Sequence, residues 1–488
     1  MSSSKNKLFN PWVGMSLLLF FGSLIIGISQ TNLLGMSAVS WQLIGLFLSS
    51  LILWLKVAID WPSILCLIGL GLLPGMTYSE VFQLSFGNTT FVFLFFTFIV
   101  TYALEQTLAL KRIIAWAMNS QWAASSPTRF ILSFLSIMLL LASFISPTIL
   151  FMIAFPLYEE IMHQFGLEKS DRRASLILIA LFSTLAIGTA MTPINHVFAI
   201  TAMGIYSSAT DTVISNGDYM SLAVPTGLIL FAGLLASLHF IWKLDLSEVK
   251  IGQLDSLKDI KPMDAKEKWT IGIFLMMIAM WLLPEMLGGL LPDFTAFFKQ
   301  AGIAFPPMIA CLLLATMHVD GEPLIKLPEA ISKGVYWPSL LIVAATLSIG
   351  SALANPDFGV TTLIENSLTP VLSHLAPILI VAFFVTWAGL QTNFASNLVT
   401  TTMVTTIMTT ILSSQSEPLV SGATLSCLIG FMASLAMMTP PAMPYVAISI
   451  GSDWTNAQDC LRYGLWILIL GILSATLVGY PLGAWILG

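Results

Sequence analysis

The sequence predicts an all-α polytopic membrane protein with about 11 transmembrane helices and two re-entrant hairpins. Three observations predict it. Of 488 residues, 57% are apolar and 9% charged, whereas a soluble protein carries about a quarter charged residues; the mean hydropathy is +0.90. Many stretches reach the roughly 20 apolar residues a helix needs to cross the hydrocarbon core. The lysines and arginines then fall almost entirely on one side when those stretches are threaded through a bilayer. The net charge of −6 decides little, because in membranes the placement of Lys and Arg matters more than the sum.

In chain order, Lys5 and Lys7 precede "WVGMSLLLFFGSLIIGIS", which reads as a first span at 11–30. No small-residue cleavage site follows, so it reads as a span rather than a removed signal peptide. Further spans are expected at 38–56, 61–74, 89–105, 173–206 (broken), 219–241, 269–285, 303–317, 337–354, 421–450 (broken) and 464–486. Two apolar segments remain, 128–165 and 374–414. At about 40 residues each, they are long enough to enter the membrane and come back. The Met-rich "FLMMIAMWLLPEM" reads as packing, and Glu105 and Glu159-Glu160 as interfacial groups at span ends. Cys66, Cys311, Cys427 and Cys460 have neither metal-ligand spacing nor a disulfide pattern and read as small core residues.

With the N-terminus cytoplasmic and both long segments returning to their own side, a clear asymmetry emerges. Lys56, Lys111, Arg112, Lys169, Arg172, Arg173, Lys326, Lys333, Arg462 and the six lysines from Lys243 to Lys268 fall inside, and Lys299 outside. Making either segment a single crossing inverts everything after it. The expected location is therefore the cell membrane, multi-pass, with an extracytoplasmic C-terminus.

The chain also repeats itself. "SFISPTIL" (143–150) aligns with "NFASNLVT" (393–400), an offset of 393 − 143 = 250. "TLAIGTAMTPINHVFAI" (184–200) aligns with "SLAMMTPPAMPYVAI" (434–448), the Thr-Pro pairs lying 439 − 192 = 247 apart. A looser match sets Cys66 against Cys311. The expected organisation is an N-terminal span (1–37), a first repeat (38–241; hairpin 128–165, broken helix 173–206), a cytoplasmic linker (242–268) and a second repeat (269–488; hairpin 374–414, broken helix 421–450). Because the hairpins enter from opposite faces, the repeats are inverted, an arrangement of transporters with a site near the midplane.

Four polar interruptions define the candidate site. The hairpin tips are Ser146-Pro147-Thr148 and Ser396-Asn397-Leu398; the helix breaks are Thr192-Pro193-Ile194-Asn195-His196 and Thr439-Pro440-Pro441-Ala442. Proline ends helices, and irregular backbone at membrane depth survives only where protein or a watery cavity covers it. Such elements offer helix N-termini to an anion. Apart from Arg129 at the outer end of the first hairpin, no Lys or Arg lies in the hairpins' apolar arms, at their tips or next to either Thr-Pro break, so dipoles, amides and hydroxyls must bind the anion while leaving release feasible. Most threonines of "TTTMVTTIMTT" (400–410) read as helix packing. Asn397, an amide at a tip, reads as functional; His196 reads as a core hydrogen-bonder or as a titratable site residue. Substrate-binding candidates are thus Ser146, Pro147, Thr148, Thr192, Pro193, Asn195, His196, Ser396, Asn397, Thr439 and Pro440.

These residues resemble the signatures of the divalent anion/sodium symporter family (DASS) of the ion-transporter superfamily. "TNFASN" looks like its second Ser-Asn-Thr signature with lead-in, "SFISPT" like the first, and "TPIN" and "TPPA" like its paired Thr-Pro loops. The resemblance implies a homodimer, scaffold and transport domains, and elevator transport of di- or tricarboxylates or sulfate. It also sets Thr392 on a family sodium-ligand position, making Thr392, Ala395 and Asn397 the candidate sodium set. The departures are that Pro147 replaces an amide, Leu398 a hydroxyl and Ala442 an asparagine, and that Ala142 stands where the second half has Thr392; these count against sodium coupling.

The expected function is secondary transport of C4 or C5 dicarboxylates such as succinate, malate, fumarate or 2-oxoglutarate, by sodium-independent exchange. The alternative is a sodium-coupled dicarboxylate, citrate or sulfate symporter. An integral-membrane enzyme is disfavoured, because no HExxH and no carboxylate cluster occurs in the spans. No cofactor and no nucleic-acid partner is expected; the partners are the substrate, the bilayer and a second copy.

Overall fold

The computed structural model describes residues 10–29, 37–169, 171–194, 197–249, 261–287, 290–363, 375–415, 418–440 and 442–487. Asn195, His196 and Pro441 lie outside them. The chain is predominantly helical. The helices are α1 Pro11–Ser29, α2 Ala38–Lys56, α3 Trp61–Gly71, α4 Tyr78–Leu84, α5 Thr89–Glu105, α6 Ala109–Met118, α7 Pro127–Ala142, α8 Pro147–Gln164, α9 Arg172–Met191, α10 Val197–Thr210 and α11 Asn216–Ala236. They continue as α12 Ala265–Met286, α13 Pro292–Ala301, α14 Phe305–Thr316, α15 Leu327–Lys333, α16 Trp337–Ala354, α17 Pro377–Phe394, α18 Asn397–Ser413, α19 Gly422–Ala433, α20 Pro444–Gly451, α21 Ala457–Ser474 and α22 Tyr480–Leu487.

Among the described residues, seven helices are long and apolar enough to cross a membrane, or up to nine if each of two bent pairs is one span. The bent pairs are α4 with α5, at 50°, and α13 with α14, at 81°. The expected count of about 11 is not reached on length and composition alone. One reason is α3: its 11 residues extend only about 16 Å at the usual helical rise, roughly half the hydrocarbon core.

Some elements were not legible in the sequence. The short helices α4, α6, α13 and α15 join the spans. A two-stranded ribbon pairs His318–Val319 with Glu322–Pro323, so the fold is not purely helical. Asp320 and Gly321 both have positive φ, 52° and 83°, as a tight two-residue hairpin turn requires. A π-helical turn follows α11 at Ser237–Ile241, and another, Ala475–Gly479, separates α21 from α22.

The broken helices form the centre. Every residue of α9 from Ala174 onward is buried, as is every residue of α19. A helix that is apolar all round belongs in the core rather than at a lipid face. Around them, α7 packs on α9, α10 on α16, α18 and α19, and α17 on α18 and α19. Elsewhere, Arg112 of α6 grips Glu267 in the first turn of α12 with two hydrogen bonds, 3.1 and 3.0 Å. All four cysteines are buried and free.

Candidate functional site

Each hairpin tip is a helix stop followed by a helix start. In the first half, α7 ends at Ala142 and α8 starts at Pro147, whose missing N–H suits a first helical position. Ser146 is the N-cap residue of α8, and its hydroxyl makes no capping bond. Ser146 and Thr148 are half-buried, and Pro147 is buried. In the second half, α17 stops at Phe394, Ala395 is extended, and Ser396 caps α18 by accepting the Val399 N–H at 3.5 Å. Two helix N-termini, of 18 and 17 residues, therefore begin at the tips and carry partial positive charge.

The breaks dock on these tips, each within its own half. Thr192 donates its hydroxyl to the Ser143 carbonyl, and Thr189 donates to Ala142 O at 3.4 Å. In the second half, Thr439 donates to the Asn393 carbonyl, and Thr392 to Ala433 O at 2.7 Å. The two Thr-Pro pairs thus make the same bond to repeat-related carbonyls. Two buried tyrosines from helices that do not correspond in the repeat also bond the breaks: Tyr219 OH donates to Ala190 O at 2.7 Å and Tyr445 OH to Ala436 O at 2.8 Å. The halves meet through α10 and α19. The contacts described here tie each tip to its own break rather than tip to tip.

The hydroxyl protons of Thr192, Thr392 and Thr439 are thus committed to backbone carbonyls. Asn397 behaves differently. It is the first residue of α18, it is 5% exposed, and its side-chain oxygen has no hydrogen-bond partner. A half-turn of χ2 exchanges the amide's oxygen and nitrogen, so this open position can serve a donor or an acceptor. Pro193 is buried, Thr439 and Ala395 are half-buried, and Pro440 is exposed. No charged residue occurs on α10, α17, α18, α19 or α20. On α9 the charges are confined to Arg172 and Arg173 at its start.

The residue that sequence reasoning missed is Asn393. In the sequence it is only the first residue of the repeat-aligned "NFASNLVT" (393–400). It is fully buried, and its amide donates to Gly389 O and Leu435 O at 2.8 and 2.9 Å while accepting from the N–H groups of Met437 and Met438, both at 2.8 Å. The available signal was its alignment with Ser143 just before a tip.

A second polar region lies apart from the tips. A cavity of about 680 Å³ is lined by Lys169, Arg172, Trp454, Asp459, Arg462 and neighbours. Lys169 donates to Ser452 O at 2.7 Å and lies over the Trp454 ring. At its rim, hydrogen bonds from the Arg173 guanidinium hold the Asp171 carboxyl below the usual carboxylate range.

Comparisons find this chain similar to transporters. The family model described as CitMHS, citrate transporter, matches residues 49–426. An uncharacterized transporter of Haemophilus influenzae is 21% identical over 443 residues, 88% of this chain and 89% of that protein. The solved structure of the Alcanivorax borkumensis YdaH transporter superposes with a TM-score of 0.58 at 12% identity, covering 98% of this chain and 97% of that one. MtrF of Neisseria gonorrhoeae, described as illuminating a class of antimetabolite efflux pumps, gives a TM-score of 0.58 at 12% identity over 99% and 96%. At that identity the likeness speaks for the fold alone.

Proposed function

We propose, because the chain belongs to the CitMHS citrate transporter family, part of the ion transporter superfamily, that it is a secondary carrier of small di- and tricarboxylates. C4 and C5 dicarboxylates are its exchange substrates. The observation that carries this reading is a pair of uncharged tips: two helices starting at Pro147 and Asn397, hydroxyls beside them, and the open amide of Asn397. Carboxylate oxygens suit helix N-termini and amide donors.

Within the superfamily, the tip motifs favour the DASS branch. On that reading the repeats are inverted, the hairpins are re-entrant, and a transport domain holding both tips moves against a scaffold in a homodimer. The 680 Å³ cavity supports the orientation, because it gathers Lys169, Arg172 and Arg462 from distant parts of the chain onto one face; that face is taken as cytoplasmic.

Sodium coupling fits the residues poorly. Ala395 offers no side-chain oxygen, and the first half has Ala142 where the second has Thr392, so the side-chain oxygens that could coordinate a sodium ion are few in both halves. Exchange without sodium follows as the primary reading. The family's description and the open oxygen of Asn397, which can accept from a substrate hydroxyl, favour a second one: citrate uptake by symport.

The test is uptake of radiolabelled succinate and citrate into proteoliposomes, with and without internal dicarboxylate and with and without sodium. Exchange predicts uptake only when the liposomes are preloaded, whatever the sodium. Uptake into empty liposomes driven by an inward sodium gradient would establish symport instead. Absence of carboxylate flux in every arm would sink the substrate class.

A further inference from the structure

We propose that Asn393 is a positioning residue that clamps the second hairpin to the unwound centre of the second broken helix, so that the second half-site is held as one rigid piece while the first half-site adapts to the substrate. The inference deepens the carrier reading and rests on it for its transport consequence.

The clamp is a saturated amide. Its two N–H groups and its oxygen make four hydrogen bonds: one within α17, to Gly389 O, and three to backbone groups of the unwound stretch after α19. Its own carbonyl takes a fifth, from Thr439. Leu435, Met437 and Met438 lie in non-helical backbone, so the helix itself leaves their polar groups unsatisfied. Unpaired and fully buried, each would carry a substantial desolvation penalty. Asn393 thus stabilises a local conformation that a helix would otherwise replace. The same bonds fix the position of Thr439 against the tip that presents Asn397, four residues along the chain.

The first half is built differently. Its equivalent, Ser143, keeps its hydroxyl on its own helix, donating to Leu139 O at 3.0 Å. Among the described residues, the first break is held by the donors of Thr189, Thr192 and Tyr219. Among the described residues, no side chain of the first tip reaches across as Asn393 does. Repeat-related positions therefore carry unequal restraint, from one amide against one hydroxyl.

The experiment compares Asn393→Ser, which installs the residue of the first half, with Ser143→Ala and the parent protein. Two readouts are used: hydrogen exchange of the full-length protein in nanodiscs, and exchange kinetics in proteoliposomes. Asn393→Ser should speed exchange of the Met437 and Met438 amides at least about tenfold, in proportion to the lost hydrogen bonds, with α18 and residues 186–192 unchanged. Its KM should rise about tenfold with Vmax within about threefold, the pattern of lost binding geometry rather than lost protein. Ser143→Ala should match the parent in both. Deprotection spread evenly over both halves would overturn the proposal, leaving Asn393 a general packing residue. Unchanged exchange at 434–440 would overturn it outright. Hydrogen exchange needs no substrate, so a parent protein that moves no carboxylate would sink the carrier reading while the clamp is still judged.

Discussion

Gly430 of α19 lies directly against Ala199 of α10, so closely that a β-carbon on Gly430 would stand 2.7 Å from the Ala199 Cα and 3.3 Å from its nitrogen. One residue thus sets the spacing of the two broken helices, and the obstacle is backbone, which cannot swing aside. Close approach of this kind is a common use of glycine between membrane helices.

Gly430→Ala should therefore destabilise the protein despite alanine's better helix propensity of about 1 kcal/mol, because overpacking typically costs about 1–3 kcal/mol. Gly272→Ala, where nothing lies within 4 Å, should be neutral or slightly stabilising. Thermal unfolding followed by size-exclusion fluorescence distinguishes them. Equal melting of the two variants would contradict the close approach.

Asn397→Ala should abolish or severely weaken carboxylate transport without unfolding the protein. Losing a hydrogen bond to a charged ligand costs about 1.5–3 kcal/mol, a ten- to hundredfold loss of affinity by the usual conversion of roughly 1.4 kcal/mol per decade. Thr406→Ala, buried further along α18, should leave transport near the parent level. Indistinguishable phenotypes would remove the tip from the site.

For topology, Val213, 80% exposed before α11, and Ser247, exposed beyond its far end, are suitable cysteine positions. Val213→Cys should react with an impermeant maleimide from outside the cell, and Ser247→Cys only after permeabilisation. Labelling of both from one side would mean that α11 does not cross. Asn216 is unsuitable, because it is 3% exposed.

Arg112→Ala should lower thermal stability, because it leaves Glu267, 5% exposed, without its partner, and removing one member of a buried pair is worse than replacing both. Adding Glu267→Leu should recover much of the loss. A double variant no more stable than Arg112→Ala would show that the pair does little to hold α6 on α12.

The parts of the fold that were legible are those in which a strong local rule meets a long apolar run. The helices at 38–56, 89–105 and 337–354 have the bounds that the sequence suggested. The stops at Phe394 and Met191 fall just before Ser396 and Pro193, and α8 starts at Pro147, where a serine cap or proline chemistry ends or starts a helix. What was hidden depends on three dimensions. The helices α4, α6, α13 and α15 are too short for a reliable periodic signal. The π turns at Ser237–Ile241 and Ala475–Gly479 have no compositional mark. Asn393 and Asn397 are the same residue type four positions apart, yet one amide is saturated by the backbone of a distant break and the other is left open. That distinction is absent from sequence spacing.

The uncharged tip region also has an electrical consequence. On the proposed carrier reading, with no Lys, Arg, Asp or Glu among the described residues of the tips and breaks, the substrate's own charge would travel with the carrier. Each elementary charge moved across 100 mV is worth about 2.3 kcal/mol. Swapping one dianion for another moves no net charge and ignores the membrane potential. Swapping a dianion for fully ionised citrate moves one charge per cycle, so the resting voltage would push the more negative partner outward and set which carboxylate accumulates on which side.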